Sequence, residues 1–256
     1  MDIKKDVQQQ FGRSANHYVI SKGHRKGGDL KKLVEMAHVT GSEEVLDVAT
    51  GGGHTANALA PHVQKVTALD LTPEMLSAAE RFIKENGHDN VVFVEGDAEK
   101  LPFPDETFDL VTCRIAPHHF PNIEQFISEV YRVLKHGGTF LLDDNVAPED
   151  EGFDQFYNTL EKMRDYSHYR AWKKSEWLQK LELNGFEIQE WHRFEKRFEF
   201  ENWCDRMHLS DSQKADLNEF ILKTTEKVKR KFRIQINDTQ ITSFIGEAIL
   251  VSATKE

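Results

Sequence analysis

Short apolar runs alternate with segments of helical periodicity between residues 44 and 143. Short apolar runs bounded by turn residues are typical of buried strands, and apolar positions three and four residues apart are typical of helices. The alternation therefore predicts an α/β fold, a doubly wound parallel sheet with helices on both faces. The predicted strands are residues 44–48, 65–71, 90–94, 108–115, 139–143, 186–190 and 247–253.

The helix predicted after Asn122 shows the amphipathic pattern most clearly. Its apolar residues recur at helical spacing from 123 to 134, and Asn122 is a suitable N-cap. Gly137 and Gly138 are predicted to terminate it, which would place Lys135 at the negative end of the helix. Further helices are predicted at residues 29–37, after Thr72, at 175–184 and within 212–232.

The first predicted strand leads through Asp47 into a glycine cluster, Gly51-Gly52-Gly53. Glycines at a strand-to-helix turn let the backbone approach a ligand closely. The spacing Gly51-x-Gly53-x-x-Ala56 also fits a dinucleotide site, so the glycines alone are ambiguous. The Asp47 carboxylate would repel a pyrophosphate but suits a ligand that carries an ammonium and a sulfonium. This charge favours S-adenosylmethionine as the cofactor.

Four charged residues lie at or near the predicted carboxyl ends of strands: Asp47, Asp70, Asp97 and Arg114. In an open parallel sheet the ligand binds beyond these ends, so the four residues should converge on one crevice. We give this convergence more weight than any single motif.

Composition restricts the functional classes. The 256 residues suit one large α/β domain, and the net charge of −10 argues against general affinity for nucleic acid or anionic membranes. The first residues contain no apolar stretch of signal-peptide length and the sequence contains no long apolar run, so we expect neither a signal peptide nor a membrane span. The two cysteines, Cys113 and Cys204, show no metal-binding or disulfide spacing, so we expect a cytoplasmic protein.

The C-terminal half differs in composition from the core. Residues 153–203 contain 13 of the 26 aromatic residues, which predicts either a lid with an acceptor pocket or simply a packed core. Tyr18 and Tyr157 are the candidate acceptor-binding residues. We expect a single domain with a helical N-terminal cap (1–40), a cofactor-binding core (41–145), an aromatic-rich lid (146–174) and C-terminal elements completing the sheet (175–256).

Four ordered blocks between residues 43 and 144 carry a family resemblance: VLDVATGGG, ALDLTPEML, GDAEKLPFPDETFDLVTC and RVLKHGGTFLLDD. Together they resemble the class I S-adenosylmethionine-dependent methyltransferases, in the type-11 branch similar to ubiquinone/menaquinone biosynthesis methyltransferases. Ala49 departs from the glycine that the family usually has there. The resemblance implies a Rossmann-like sheet of seven strands with the last one antiparallel.

The resemblance also implies specific cofactor contacts. Asp47 would hold the methionine end, Asp70 would bind the ribose hydroxyls, and Asp97 would read the adenine amino group. The implied cofactor-binding residues are Asp47, Ala49, Gly51, Gly53, Asp70, Leu71, Asp97, Ala98 and Arg114. Arg114 would act through its main chain; the equally weighted alternative is that its guanidinium pairs with Asp109 or a surface carboxylate.

His118 and His119 follow the fourth strand, beside the expected methyl group. Positioning supplies much of the catalysis in methyl transfer, and a general base is needed only if the acceptor must lose a proton. Either histidine is a candidate base, and packing of both in the loop is the competing interpretation. A metal site that includes Asp143 and Asp144 is not required by any ligand spacing, so we expect no metal.

The leading hypothesis is a methyltransferase for a small apolar or aromatic acceptor. A non-catalytic S-adenosylmethionine-binding protein is the first alternative. A nicotinamide-dependent reductase, suggested by Tyr169-x-x-x-Lys173, and an RNA methyltransferase, suggested by six positive and one negative residue within 223–233, are weaker ones. The sequence leaves the acceptor, the pathway and the oligomeric state open.

Overall fold

A computed structural model describes the backbone of residues 3–20 and 27–256 and the side chains of 3–12 and 27–256. The strands are β1 (Glu44–Val48), β2 (Lys65–Asp70), β3 (Val91–Glu95), β4 (Phe108–Arg114), β5 (Leu134–Val146), β6 (Phe186–Glu199), β7 (Gln235–Asn237) and β8 (Gln240–Lys255). The helices are α1 (Ile3–Ile20), α2 (Gly28–Met36), α3 (His54–Leu59), α4 (Pro73–Glu85), α5 (Ile123–Val133), α6 (Glu151–Arg164), α7 (Lys174–Leu183), α8 (Phe200–Asp205), α9 (Asp211–Leu222) and α10 (Glu226–Lys231).

The strands form one mixed sheet in the order β3-β2-β1-β4-β5-β8-β6, with β7 on β8. β1 to β5 are parallel, whereas β8 runs antiparallel to both β5 and β6. The predicted doubly wound fold with an antiparallel last strand is therefore confirmed. All seven predicted strands are present, and the short β7 is an addition.

The boundary between α5 and β5 differs from the prediction. α5 ends at Val133, and Leu134 already pairs with Phe108 of β4, so Gly137 and Gly138 lie within the strand. The Nζ atom of Lys135 binds Asp109 at 2.8 Å instead of facing a helix terminus. Strand pairing and this ion pair are tertiary contacts, which override the local helix-stop signal.

β6 and β8 are longer than predicted. They pair from Phe186↔Lys255 to Glu199↔Ser243, beyond the point where β5 ends. Along β6 half-buried and exposed positions alternate, and charged residues such as Glu195 lie on the exposed side. Two apolar clusters pack against the main sheet. The extended part of the β6–β8 pair forms one wall of a third apolar cluster, which also includes residues of α6 and the C-terminal helices.

The turn from β1 into α3 depends on Gly53. Its backbone is left-handed, with φ of +79°, and a Cβ there would lie 2.9 Å from both Ala79 Cβ and Ile83 Cδ1 of α4. Only glycine combines this conformation with such close helix packing. Gly53 thus fixes the approach of α4 to the turn.

We expect Gly53→Ala to destabilise the protein more than Gly87→Ala, measured by urea unfolding. At Gly87 nothing lies within 4 Å of the added Cβ and φ is +83°. Alanine there therefore adds only backbone strain, which lowers the free energy of unfolding by about 1–2 kcal/mol. At Gly53 the steric conflict with α4 adds roughly 1–3 kcal/mol. Equal losses in the two variants would contradict the packing role.

Candidate functional site

A first cavity of about 130 Å³ lies beyond the carboxyl ends of the parallel strands. The loops after β1, β2, β3 and β4 form its walls, and α1 covers it. The sequence-predicted residues that line it are Asp47, Ala49, Gly51, Asp70, Leu71, Asp97, Ala98 and Arg114. Gly53 does not line it, because this glycine serves the contact with α4 described above. The structure thus brings the predicted acids together in one crevice.

Asp47 is almost completely buried, with 1% of its surface exposed. Its two oxygens accept hydrogen bonds from Thr50 Oγ1 at 2.6 Å and from Thr112 Oγ1 at 2.7 Å. Burial raises the pKa of Asp47 to about 6, although both hydroxyls act in the opposite direction. Thr112 was not predicted as a site residue, since its role depends on the pairing of β1 with β4.

Asp70 is held by the turns that flank it. Gly51 N donates to Oδ2 at 2.8 Å, and Thr72 N donates to Oδ1 at 2.9 Å. The left-handed conformation of Ala49 (φ +52°) and Gly51 (φ +55°) shapes the first of these turns. Each carboxylate oxygen retains acceptor capacity, because one of its two lone pairs remains. Asp70 is therefore fixed and still able to bind two donors.

α1 closes the adenine end of the predicted cofactor site. Lys4 Nζ lies 2.6 Å from both Asp97 Oδ2 and Glu99 Oε2, and Gln8 Nε2 donates to the Leu71 carbonyl at 2.9 Å. Sequence reasoning missed Lys4 and Gln8. No local motif marks them, because their partners lie more than sixty residues away.

The Arg114 guanidinium is buried between carboxylates that the sequence did not identify. Its Nη2 lies 2.8 Å from Asp29 Oδ2, and its Nε lies 3.1 Å from Asp143 Oδ2. Asp109, one of the alternative partners considered for this guanidinium, instead binds Lys135, and the actual partners are buried rather than surface carboxylates. Burial raises the pKa of Asp143 to about 7, and the neighbouring Asp29 adds to the rise. The side chain of Arg114 therefore ties β4 to α2 and β5.

A second cavity, of about 330 Å³, shares the lining residues Phe11, Ile115 and His119 with the first. Buried side chains of His118, Glu161 and Asp165 also line it. The two cavities thus meet where the loop after β4 passes under α1.

His118 and His119 both line the second cavity but have different partners. His118 Nδ1 lies 2.6 Å from the buried Asp144 Oδ1. Although burial lowers the pKa of His118, the Asp144 carboxylate outweighs it, and the net pKa is raised. His118 thus resembles the histidine–carboxylate pairs that act as bases, in which the carboxylate stabilises the imidazolium.

His119 is held in the neutral form. Its Nδ1 lies 3.0 Å from the Ser167 carbonyl, which can only accept, so Nδ1 carries the proton and Nε2 has the lone pair. Burial and the neighbouring His118 lower the pKa of His119 to about 4. The edge-on ring of Phe11, with its centroid 5.1 Å away, packs against it.

Of the two tyrosines expected at the acceptor pocket, only Tyr157 has a described side chain, and it lies elsewhere. Tyr157 is fully buried in the third apolar cluster and stacks on Phe232 with ring centroids 5.9 Å apart, so this prediction is corrected. Its helix turns the ring towards the C-terminal helices, where apolar burial stabilises it. Tyr18 lies outside the described side chains.

Asp143 and Asp144 are engaged by Arg114 and His118, as described above. Within residues 3–20 and 27–256, no group of three or more histidine, cysteine or acidic side chains is arranged to hold a metal ion. Across the same ranges, no helix has both the length and the apolar character needed to cross a membrane.

The sequence features that suggested a reductase and an RNA methyltransferase lie outside the two cavities. Tyr169 and Lys173 line neither of the two cavities, and Lys173 Nζ binds Glu151 at 2.6 Å. In the basic segment 223–233, five of the six positive side chains pair with carboxylates: Lys223, Lys227, Lys229, Lys231 and Arg233. These contacts favour a solvated, charge-balanced surface over an RNA-binding one.

Comparison with known proteins gives a consistent result. The family described as methyltransferase domain matches residues 46–142. An uncharacterized methyltransferase of Bacillus subtilis, YcgJ, is 36% identical over 246 residues, covering 96% of this chain and 97% of that protein. The ubiquinone/menaquinone biosynthesis C-methyltransferase UbiE of Bradyrhizobium is 40% identical over 118 residues, 44% of this chain and 47% of that protein. A crystal structure of a candidate methyltransferase from Bacillus halodurans superimposes with a TM-score of 0.88 at 57% identity, covering 90% of this chain and 99% of that one.

We expect Asp47→Asn to stabilise the ligand-free protein near pH 7.5. The folded-state pKa of about 6 exceeds the ordinary value, so the stability contributed by the protonated carboxyl is complete below about pH 4 and lost as pH rises through about 6. Asparagine does not ionise, so we expect its free energy of unfolding at pH 7.5 to exceed that of wild type by roughly 1–3 kcal/mol. Urea unfolding at pH 4 and pH 7.5 measures it.

Asp109→Asn, at the opposite end of β4, is the matched control and should show no such pH-dependent gain. The expectation for Asp47 fails if the asparagine variant has the same stability relative to wild type at both pH values.

Proposed function

The chain belongs to the methyltransferase domain family, and on that premise we propose that it transfers a methyl group from S-adenosylmethionine to a small molecule in the second cavity. The observation that carries this proposal is the junction of the two cavities at Phe11, Ile115 and His119. A cofactor in the first cavity and an acceptor in the second would meet there, where the reacting atoms have to be brought into line.

The residues of the first cavity suit this cofactor. Asp47, Asp70 and Asp97 place carboxylates along one edge of the sheet, which favours a ligand with ammonium and sulfonium charges over a pyrophosphate. The two fixed oxygens of Asp70 match the two hydroxyls of a ribose. When bound, S-adenosylmethionine supplies a methyl carbon that its sulfonium makes electrophilic.

The second cavity supports a revised view of the acceptor. An apolar or aromatic molecule was expected, yet the lining includes the buried Glu161 and Asp165 and the half-buried Arg164. Buried charges of this kind need polar partners. We therefore propose an acceptor with a polar reactive group, while most aromatic residues of the chain's second half serve packing.

His118 is the proposed general base, with Asp144 as its orienting partner. Its Nε2 makes no hydrogen bond within the described part of the chain, and its ring lines the second cavity. A base works best when its pKa lies near the working pH, and the raised pKa of His118 meets this better than that of His119. His119, at the junction, is proposed to position the reactants.

The location is also a proposal. Cys113 and Cys204 are free and buried, which suits a reducing compartment, so we propose that the protein acts in the cytoplasm on a small molecule.

The most informative test is a screen of small hydroxyl, amino, thiol and activated carbon compounds with detection of S-adenosylhomocysteine. A methylated product from any of them would exclude the non-catalytic alternative. Tight S-adenosylhomocysteine binding without any product, across a broad panel, would favour it.

We expect Asp70→Ala to weaken S-adenosylhomocysteine binding by about 1–3 kcal/mol, through loss of the ribose hydrogen bonds and of the ties to Gly51 and Thr72. Isothermal titration calorimetry measures the change. Asp109→Ala, which removes a carboxylate from the distant end of β4, should leave affinity unchanged. Wild-type affinity of Asp70→Ala would refute the ribose role.

We expect His118→Gln to lower turnover by about 10²–10⁴-fold while S-adenosylhomocysteine affinity is retained. Wild-type turnover should rise with pH through the pKa of His118, which the Asp144 carboxylate raises above that of an ordinary histidine, because only the neutral ring accepts a proton. His119 should not titrate in this range, since its pKa is about 4. Turnover with the acceptor found by the screen is measured from pH 5.5 to 9.

Wild-type turnover in both His118→Gln and His119→Gln would end the idea that either histidine acts in catalysis. A pH profile that is unchanged in His118→Gln would assign the titration to another group.

A further inference from the structure

The inner end of the second cavity is formed by four buried side chains: His118, His119, Glu161 and Asp165. The opposite side contains exposed residues such as Glu195 and Arg197. The inner end adjoins the cavity junction through His119, so a reactive group bound there would face the first cavity.

Hydrogen-bond acceptors without donors lie at this inner end. Nε2 of His119 carries a lone pair, because Nδ1–H is committed to the Ser167 carbonyl. Asp165 Oδ2 lies 3.9 Å from that Nε2 and has no hydrogen-bond partner within the described part of the chain. Asp165 Oδ1, by contrast, accepts from Ser167 N at 2.9 Å and from Ser167 Oγ at 2.5 Å.

Two buried acceptors facing each other are unfavourable until a donor enters. At a separation of 3.9 Å, one atom with two hydrogens can bridge both acceptors from the side, whereas a hydroxyl has only one hydrogen to give. Among methyl acceptors, the geometry therefore favours a nitrogen with at least two hydrogens.

The charges around the inner end also favour a nitrogen ligand, because they favour a cation. Asp144, Glu161 and Asp165 are buried carboxylates, and Arg164 is engaged with Glu161 at 2.8 Å. With His118 in its neutral form, negative charge exceeds positive charge at this end. Buried, unbalanced carboxylates attract a cationic partner strongly because little water screens them.

We propose that the methyl acceptor is a primary amine, bound at the inner end in its ammonium form by Asp165 Oδ2 and His119 Nε2. This inference rests on the proposed function and narrows it, since oxygen, carbon and nitrogen acceptors were all open. A phenol or alcohol would leave one of the two acceptors without a donor and would bring no positive charge.

The chemistry balances with the residues present. His118 Nε2 takes one proton from the ammonium, which frees the nitrogen lone pair. That lone pair forms the new nitrogen–carbon bond to the methyl group while the carbon–sulfur bond breaks and its electron pair stays on sulfur. The products are an N-methylammonium, S-adenosylhomocysteine and one proton, which His118 releases to solvent. A cationic ligand beside His118 also favours the neutral, proton-accepting form of that ring.

The test compares pairs of probes of equal shape, benzylamine with benzyl alcohol and methylamine with methanol, by calorimetry on protein saturated with S-adenosylhomocysteine. We expect at least one amine to bind at least about tenfold tighter than its alcohol. Asp165→Asn, which keeps the shape and removes the charge, should reduce that amine affinity at least about tenfold and leave alcohol binding as it was.

Glu195→Gln is the matched control, because it removes a carboxylate from the exposed side of the same cavity, where Arg193 and Arg233 pair with it. Amine affinity in this variant should equal that of wild type. Failure of both amines to bind, equal binding of amine and alcohol, or an unchanged Asp165→Asn variant would each overturn the inference.

S-adenosylhomocysteine affinity is measured in the same samples and separates the two proposals. If the protein does not bind S-adenosylhomocysteine, the proposed function itself fails. If it binds S-adenosylhomocysteine and shows no amine preference, only the assignment of the acceptor is wrong.

Discussion

The carboxylate of Asp70 is the link on which the arrangement of the cleft depends. It accepts one backbone N–H from the turn after β1, at Gly51, and one from its own turn, at Thr72. Since these two loops form adjacent walls of the first cavity, the carboxylate fixes their separation as well as its own orientation. A buried acid with two backbone donors is rigid, and a rigid acceptor loses little entropy when a ligand binds.

His118 and His119 are neighbours in one short loop, yet their surroundings shift their pKa values in opposite directions. His118 meets a carboxylate and His119 meets a carbonyl, so one ring is stabilised as the cation and the other as the neutral tautomer. Pairs of titratable groups whose surroundings separate their pKa values are typical of acid–base sites. Together with Asp165, the pair gives the second cavity the polarity that points to a cationic acceptor.

Several of these features cost stability in the absence of ligand. Asp47 and Asp143 are buried with raised pKa values, so their ionised forms are disfavoured. Sites that keep charge buried for function commonly trade stability for it. A cationic ligand beside Asp47 would offset part of this cost, which couples binding to folding.

The sequence by itself determined the order of strands and helices and the row of acids at the strand ends. Apolar periodicity and turn residues are local, and strand polarity in a wound sheet places Asp47, Asp70 and Asp97 at one edge without further information. What only the tertiary structure decided depends on contacts between distant segments. It gave Gly53 a packing role, paired Arg114 with Asp29 and Asp143, placed Tyr157 in the core and brought Lys4 to Asp97. These outcomes follow from side-chain packing and burial across the fold, which local patterns do not encode.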